Sequence, residues 1–274
     1  MVLESLINPM QAEKKFRVMF FYGLLYTTIG LLLALWVFQE ESSLVMVFLT
    51  VIAAVPLMYL TIKYEEEKDM EIVPERLLIK EHGKALKFFM YFFFGMIVAY
   101  ALWFTFLPET VSNHLFNTQI TTIQNINSNV VTGDVVVTDI LAKIFFNNVK
   151  VLLFCVFFAF FYGAGAIFIL TWNASVIGAA IGNFIKAHVF TFSDYFYAIP
   201  LGIMRYMTHG VFEILAYFMA GLAGGIISIA VIRHDVYSDK FNRVVKDSLD
   251  MLGIALLLLV VGALVEVFVT PAFF

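Results

Sequence analysis

Residues 205–232 read RYMTHGVFEILAYFMAGLAGGIISIAVI, an apolar run whose Arg205, His209 and Glu213 all fall in its first third. The hydrocarbon core of a bilayer is about 30 Å thick and takes roughly 20 residues of helix to cross, so this run is long enough to span it. Six more runs of comparable character lie at 17–38, 43–63, 87–107, 144–171, 174–190 and 250–270. At this length in lipid only a helix satisfies its own backbone groups, and the expected fold is therefore all-α: a polytopic helical membrane protein with about seven spans. The 174–190 run carries Gly178, Gly182, Asn183, Lys186 and His188, and is expected to be a short or broken helix.

Composition agrees. The chain has 274 residues, 62% hydrophobic, 17% aromatic and only 14% charged, with a mean hydropathy of +0.91. That leaves too little polar side chain to cover a water-facing surface, which excludes soluble enzymes. A net charge of −4 argues against nucleic acid as a partner, since phosphate backbones call for clustered Lys and Arg. One cysteine, Cys155, permits neither an intrachain disulfide nor a Cys-based metal site, and no cofactor is expected.

Orientation follows from the basic residues. Lys14, Lys15 and Arg17 precede the first run, Lys63, Lys68, Arg76, Lys80, Lys84 and Lys87 lie between the second and third, and Arg233, Lys240, Arg243 and Lys246 between the sixth and seventh. None occurs between Lys87 and Lys143. The positive-inside rule puts the N-terminus and the 63–87 and 233–249 loops in the cytoplasm, and the 108–142 segment and the C-terminus outside a cell membrane. The 108–142 segment, with Asn113, Asn117, Asn125, Asn127 and Asn129, reads as a polar loop or small cap. Glu65, Glu66, Glu67 and Asp69 read as a solvated acidic loop. Two stretches, with Leu3, Leu6, Ile7 and Met10 in one and Phe241, Val244, Val245 and Leu249 in the other, have the spacing of amphipathic helices on the membrane surface.

Ionisable groups inside a membrane cost several kcal/mol and mark function by default. Asn147, Asn148 and Lys150 open the fourth run, Asn173 lies at the junction of the fourth and fifth, and Arg205, His209 and Glu213 enter the sixth. His209 and Glu213 are four apart and share a helix face, which continues through Ala216, Ala220 and Gly224 as a seam of small residues. A Lys150–Glu213 pair would offset the desolvation of both charges. Gly163, Gly165, Gly178, Gly182, Gly210, Gly221 and Gly225 are candidates for close helix packing, with GxxxG spacing at 178/182 and 221/225. No metal is expected. The weak candidate set of His209 and Glu213, with His188 or Asp194 as third ligand, is the best the chain offers to a zinc ion, which wants three protein ligands.

The order of these elements resembles the stage II sporulation protein M family. The resemblance rests on Ile144 to Val151 with its two Asn, on Tyr162-Gly-Ala-Gly165, on Asn173 to Gly178 and on to Gly182, and on His209-Gly-Val-Phe-Glu213 followed by Ala220-Gly221. Asn173-Ala174 stands where the family tends to have Asn-Gly, and Thr208 where it often has Pro. The resemblance implies an integral membrane protein, in spore-formers part of a complex with peptidoglycan-degrading partners. Archaeal and non-sporulating relatives argue against carrying the sporulation role over.

The reading expected first is a non-enzymatic scaffold, with the lipid bilayer and other membrane proteins or itself as partners. The alternative is a transport-type protein passing a small solute, proton or lipid along the polar cluster. An intramembrane metallohydrolase ranks a distant third, because HExxH, GxSxG and paired aspartates are all missing from the sequence.

Overall fold

The computed structural model describes residues 16–71, 75–128, 137–233 and 238–273. The amphipathic stretch at Leu3 to Met10 lies outside them. The chain is an all-helical polytopic membrane protein. Its long helices are α1 (Val18–Val37), α2 (Ser42–Glu71), α3 (Glu75–Phe106), α6 (Val137–Tyr162), α7 (Ala166–His188), α8 (Tyr195–Arg233) and α9 (Asp239–Leu264), and all seven contain a segment long and apolar enough to cross a bilayer. The short helices α4 (Glu109–Leu115) and α5 (Asn117–Ser128) follow α3, and a π-helical turn (Val265–Val269) joins α9 to α10 (Thr270–Phe273).

Helix α8 is the hub. It touches α2, α3, α6, α7 and α9, and from Ile214 to Ala230 nearly every residue is buried. The outward faces of α1, α2, α6 and α9 carry exposed Phe21, Leu25, Ile52, Phe154, Phe157, Leu257 and Val260, as lipid-facing surfaces should. At the core, Phe218 of α8 stacks on Phe89 with centroids 5.6 Å apart and meets Phe93 edge-on at 5.6 Å.

Small residues set the helix spacing. Helices α1 and α3 cross so closely that a Cβ at Gly23 would run into the Phe92 carbonyl, and one at Gly95 into the Phe20 carbonyl. Gly178 and Gly182 of α7 lie against α3, where an added Cβ would come within 2.5 Å of Tyr100 Cβ and 2.7 Å of Phe104 Cβ. Gly178→Leu is therefore expected to lower the melting temperature in detergent by several degrees. Leu256→Ala, on a half-exposed lipid face, should change it much less, and equal shifts would sink this account of the α3–α7 contact.

Several elements differ from the sequence expectation. The fifth span is neither short nor broken: α7 is one continuous helix of 23 residues. The division between the fourth and fifth spans falls earlier than expected because Gly163 adopts φ +63°, a left-handed conformation that ends α6 and that glycine adopts at little cost. Residues 166–171, assigned to the fourth run, thus belong to α7.

The acidic run is not a solvated loop. At 30 and 32 residues, α2 and α3 are about 45 and 48 Å long at 1.5 Å per residue and overrun the bilayer core. Glu65 and Glu66 are buried on that extension, Glu67 is exposed, and His82 Nδ1 lies 2.9 Å from Glu65 Oε2. A helix of this length keeps one side covered by neighbours whatever its charge.

The 109–128 segment is helical and not a loop. Leu115 and Phe116 are fully buried, Phe116 against Phe104 and Tyr100. Buried Gln119 accepts from Ser43 Oγ at 2.9 Å and donates to Ser43 O and Ser175 Oγ at 3.2 Å. The stretch from Phe241 to Leu249 is the start of α9 and not a separate surface helix, with Val244 fully buried and Leu249 exposed.

Candidate functional site

Three helices bring polar groups together inside the bundle. On α8, His209, Glu213 and Tyr217 follow one another at four-residue steps and so share a face. Helix α6 contributes Asn148, which is buried. The far end of α9 contributes Glu266 from the π-helical turn, with Thr270 just beyond it. Gly262 lets this end of α9 approach, since a Cβ there would lie 3.2 Å from Glu213 Cγ.

The hydrogen bonds have a direction. Tyr217 donates its hydroxyl to Asn148 Oδ1 at 2.9 Å, and Asn148 Nδ2 donates to Glu213 Oε1. The carboxyl groups of Glu213 and Glu266 lie close enough to influence each other. One turn away, Thr270 Oγ1 lies 3.2 Å from both Val265 O and His209 Nδ1. The single threonine hydrogen serves either Val265 O or His209 Nδ1, and where it serves Val265 O the imidazole donates from Nδ1 and keeps Nε2 as the acceptor.

Toward the other end of α8 the polar face stops and the backbones close in. A Cβ at Gly224 would stand 2.7 Å from Val156 O on α6, one at Gly221 2.8 Å from Ala166 Cβ on α7, and one at Gly225 2.8 Å from Ile62 Cγ2 on α2. The carboxyl pair thus sits at the floor of a polar stripe that ends in glycine-mediated helix contacts.

The other residues singled out in the sequence go elsewhere. Asn147 and Lys150 are exposed on α6, and it is Asn148 that reaches Glu213, so the pairing of Lys150 with Glu213 within one chain is not formed. Arg205 is exposed, its guanidinium 5.7 Å from the Phe184 ring. Asn173 Nδ2 bonds Ile169 O on its own helix at 2.7 Å. Gly163 and Gly165 shape the turn between α6 and α7, and Gly210 has only ordinary contacts with side-chain ends.

The third-ligand candidates are equally apart. His188 bonds Phe184 O at 2.8 Å and stacks on the Phe184 ring, and Asp194 accepts from the Phe190 and Thr191 amides at 2.8 and 2.6 Å. Among the described residues no three His, Cys, Asp or Glu side chains form a group that could hold a metal ion. Lys186 donates to Leu107 O at 2.9 Å and Ser112 Oγ at 2.8 Å, placing a cation at the C-terminal end of α3, where the helix dipole favours it.

Glu266, Tyr217 and Thr270 were not picked out from the sequence. For Glu266 the signal was present, because it is an acid inside the 250–270 run, the criterion that singled out Glu213. Tyr217 was legible as the next four-residue step after His209 and Glu213. Thr270 carried no signal, since its role depends on the carbonyl presented by the π-helical turn.

Residues 85–271, well over half of the chain, match the family model for stage II sporulation protein M. The chain belongs to the stage II sporulation protein M family. The match takes in α6 to α9 and with them the whole polar cluster, while α1 and α2 of this family member lie before the matched region. No curated protein and no solved structure matches the chain.

Proposed function

We propose that this protein is a non-enzymatic, partner-binding component of the cell membrane, acting as a scaffold. The observation that carries this reading is the closure of α8 on α2, α6 and α7 beyond Tyr217, through Gly221, Gly224 and Gly225. A polar stripe that ends against backbone-close helix contacts suits recognition from one side better than passage through. The second reading, proton-linked transport, is favoured by the nearness of the Glu213 and Glu266 carboxyls, since neighbouring intramembrane acids are the groups a proton relay uses.

Purified protein in liposomes loaded with a pH-sensitive dye separates the two. The scaffold reading expects proton flux no faster than in empty liposomes, and expects cross-linking in the native membrane to recover a set of neighbours that Glu213→Ala loses. Flux that Glu213→Gln abolishes would replace scaffold by transport.

The proposed orientation has the N-terminus and the α2–α3 and α8–α9 connections in the cytoplasm. Asn117 and Lys240 are both exposed. In whole cells an impermeant thiol reagent should label Asn117→Cys and spare Lys240→Cys, and the reverse pattern would invert the topology.

A further inference from the structure

Helix α6 runs for 26 residues from Val137 to Tyr162, and Lys150 stands at its middle. At 1.5 Å per residue it lies about 20 Å from Val137 and about 18 Å from Tyr162, close to the midplane of the bilayer that the helix crosses. Asn148, two residues away, is buried against Glu213, whereas Lys150 is exposed. Around it Phe146, Leu153, Phe154 and Phe157 are each more than half exposed, as lipid-facing side chains are. Lys150 has neither an ion pair nor a side-chain hydrogen bond among the described residues. A charge at that depth on a lipid-facing surface is costly without a counter-charge.

The lysine is not isolated along the helix. Lys143, Asn147 and Lys150 follow at steps of four and three residues, the spacing of one helix face, and all three are exposed. Asp139 continues that face at the Val137 end. Long side chains on a helix lean toward its N-terminus, which directs a lysine at 150 back along the stripe toward position 147. Past Lys150 the same face turns apolar, with Phe154, Phe157 and Phe161 at the next steps. A polar stripe thus enters the membrane along α6 from the Val137 side and ends at the midplane.

We propose that this stripe is a phospholipid site: the phosphate of a lipid in the leaflet on the Val137 side is drawn down past Lys143 and Asn147 to Lys150, and its acyl chains lie against the phenylalanines beyond. A phospholipid fits on two counts. Its phosphate supplies the negative charge that the ammonium lacks, with the Asn147 amide as a further donor, and its chains are continuous with the lipid-facing surface on either side of the stripe. Because the stripe ends at Lys150, the lipid is held and not passed to the other leaflet. The inference goes beyond the scaffold reading and does not rest on it, since α6 turns its other side to Glu213.

The experiment uses the full-length protein in phosphatidylcholine nanodiscs that contain phosphatidylcholine spin-labelled on its headgroup. A bimane fluorophore is attached at Leu153→Cys on α6 or at Leu257→Cys on α9, both lipid-exposed, with the buried Cys155 replaced by Ala. Asn148 and Gly262 both adjoin Glu213, and each label lies five residues farther in, about 7.5 Å, so the two are at matched depth. The expected result is quenching at Leu153→Cys at least three times that at Leu257→Cys. Lys150→Met should bring the two to the same value, and Lys150→Arg should keep the difference. By native mass spectrometry the parent should retain phosphatidylcholine at least tenfold better than diacylglycerol with the same chains, which has no phosphate.

Equal quenching at the two positions in the parent, a difference that survives Lys150→Met, or equal retention of diacylglycerol and phospholipid would each overturn the proposal. So would a parent that retains no lipid and carries a second protein chain against α6 instead. Lys150→Met exchanges a lipid-exposed cation for an apolar side chain and should remain monodisperse. Should it aggregate, the two label positions and the two lipids still decide the matter in the parent chain.

Discussion

Gly95→Ala is expected to abolish folding of the helical bundle, and Gly23→Ala to do nearly the same. The Cβ that either change adds would run into a main-chain carbonyl on the facing helix, Phe20 O for Gly95 and Phe92 O for Gly23. A flexible side chain could swing aside, but a helical carbonyl is held by its own hydrogen bond. Relief then requires α1 and α3 to separate along their whole crossing, which would strip contacts from Tyr26, Phe92 and Met96. Overpacking a tight core commonly costs about 1–3 kcal/mol and more where relaxation is blocked. The upper end or beyond is expected here, seen as little or no monodisperse protein after extraction.

Gly83 and Gly253 are the controls, since nothing lies within 4 Å of a Cβ at either. Alanine at those positions should be neutral or stabilise by up to about 1 kcal/mol through helix propensity. If Gly95→Ala and Gly83→Ala melt alike, α1 and α3 do not cross as described.

The second large effect concerns the carboxyl pair. Asn148→Leu removes the group that both accepts from Tyr217 and donates to Glu213, leaving a hydroxyl and a carboxyl without their partner. Each buried group so orphaned costs about 1–3 kcal/mol, so a loss of about 2–5 kcal/mol is expected in chemical denaturation from mixed micelles.

Glu213→Ala should cost a similar amount, because it strands Glu266 and the Asn148 amide together. Glu213→Gln is different. Its carbonyl oxygen still accepts from Asn148 and its amide nitrogen supplies a donor to Glu266, so a loss under about 1 kcal/mol is expected. A double-mutant cycle between Asn148→Leu and Tyr217→Phe should show strong coupling, because the two changes delete one hydrogen bond between them. Should Gln prove as damaging as Ala, the pair acts through its charge and not through its hydrogen bonds.

Apolar run length together with the distribution of Lys and Arg was enough, from the sequence alone, for an all-α membrane protein with seven spans. Both are properties of contiguous stretches, and the bilayer acts on contiguous stretches: a helix in lipid must close its own hydrogen bonds within about 20 residues. The order of Asn147-Asn148, Tyr162 to Gly165, Asn173 to Gly182 and His209 to Glu213 was likewise legible, and it carried the family resemblance that the match over residues 85–271 establishes. Tertiary structure decided what those residues meet. Which of two adjacent asparagines faces α8, whether Glu65 points to water or to His82, and whether Lys150 turns toward Glu213 or toward lipid all depend on helix rotation, which neighbouring helices set. Glu266 reaches Glu213 across a separation of 53 residues only because α8 and α9 lie antiparallel and Gly262 lets them close. Hydropathy along a chain has no term for the partner across the gap, and for that reason the spans could be read from the sequence and the site could not.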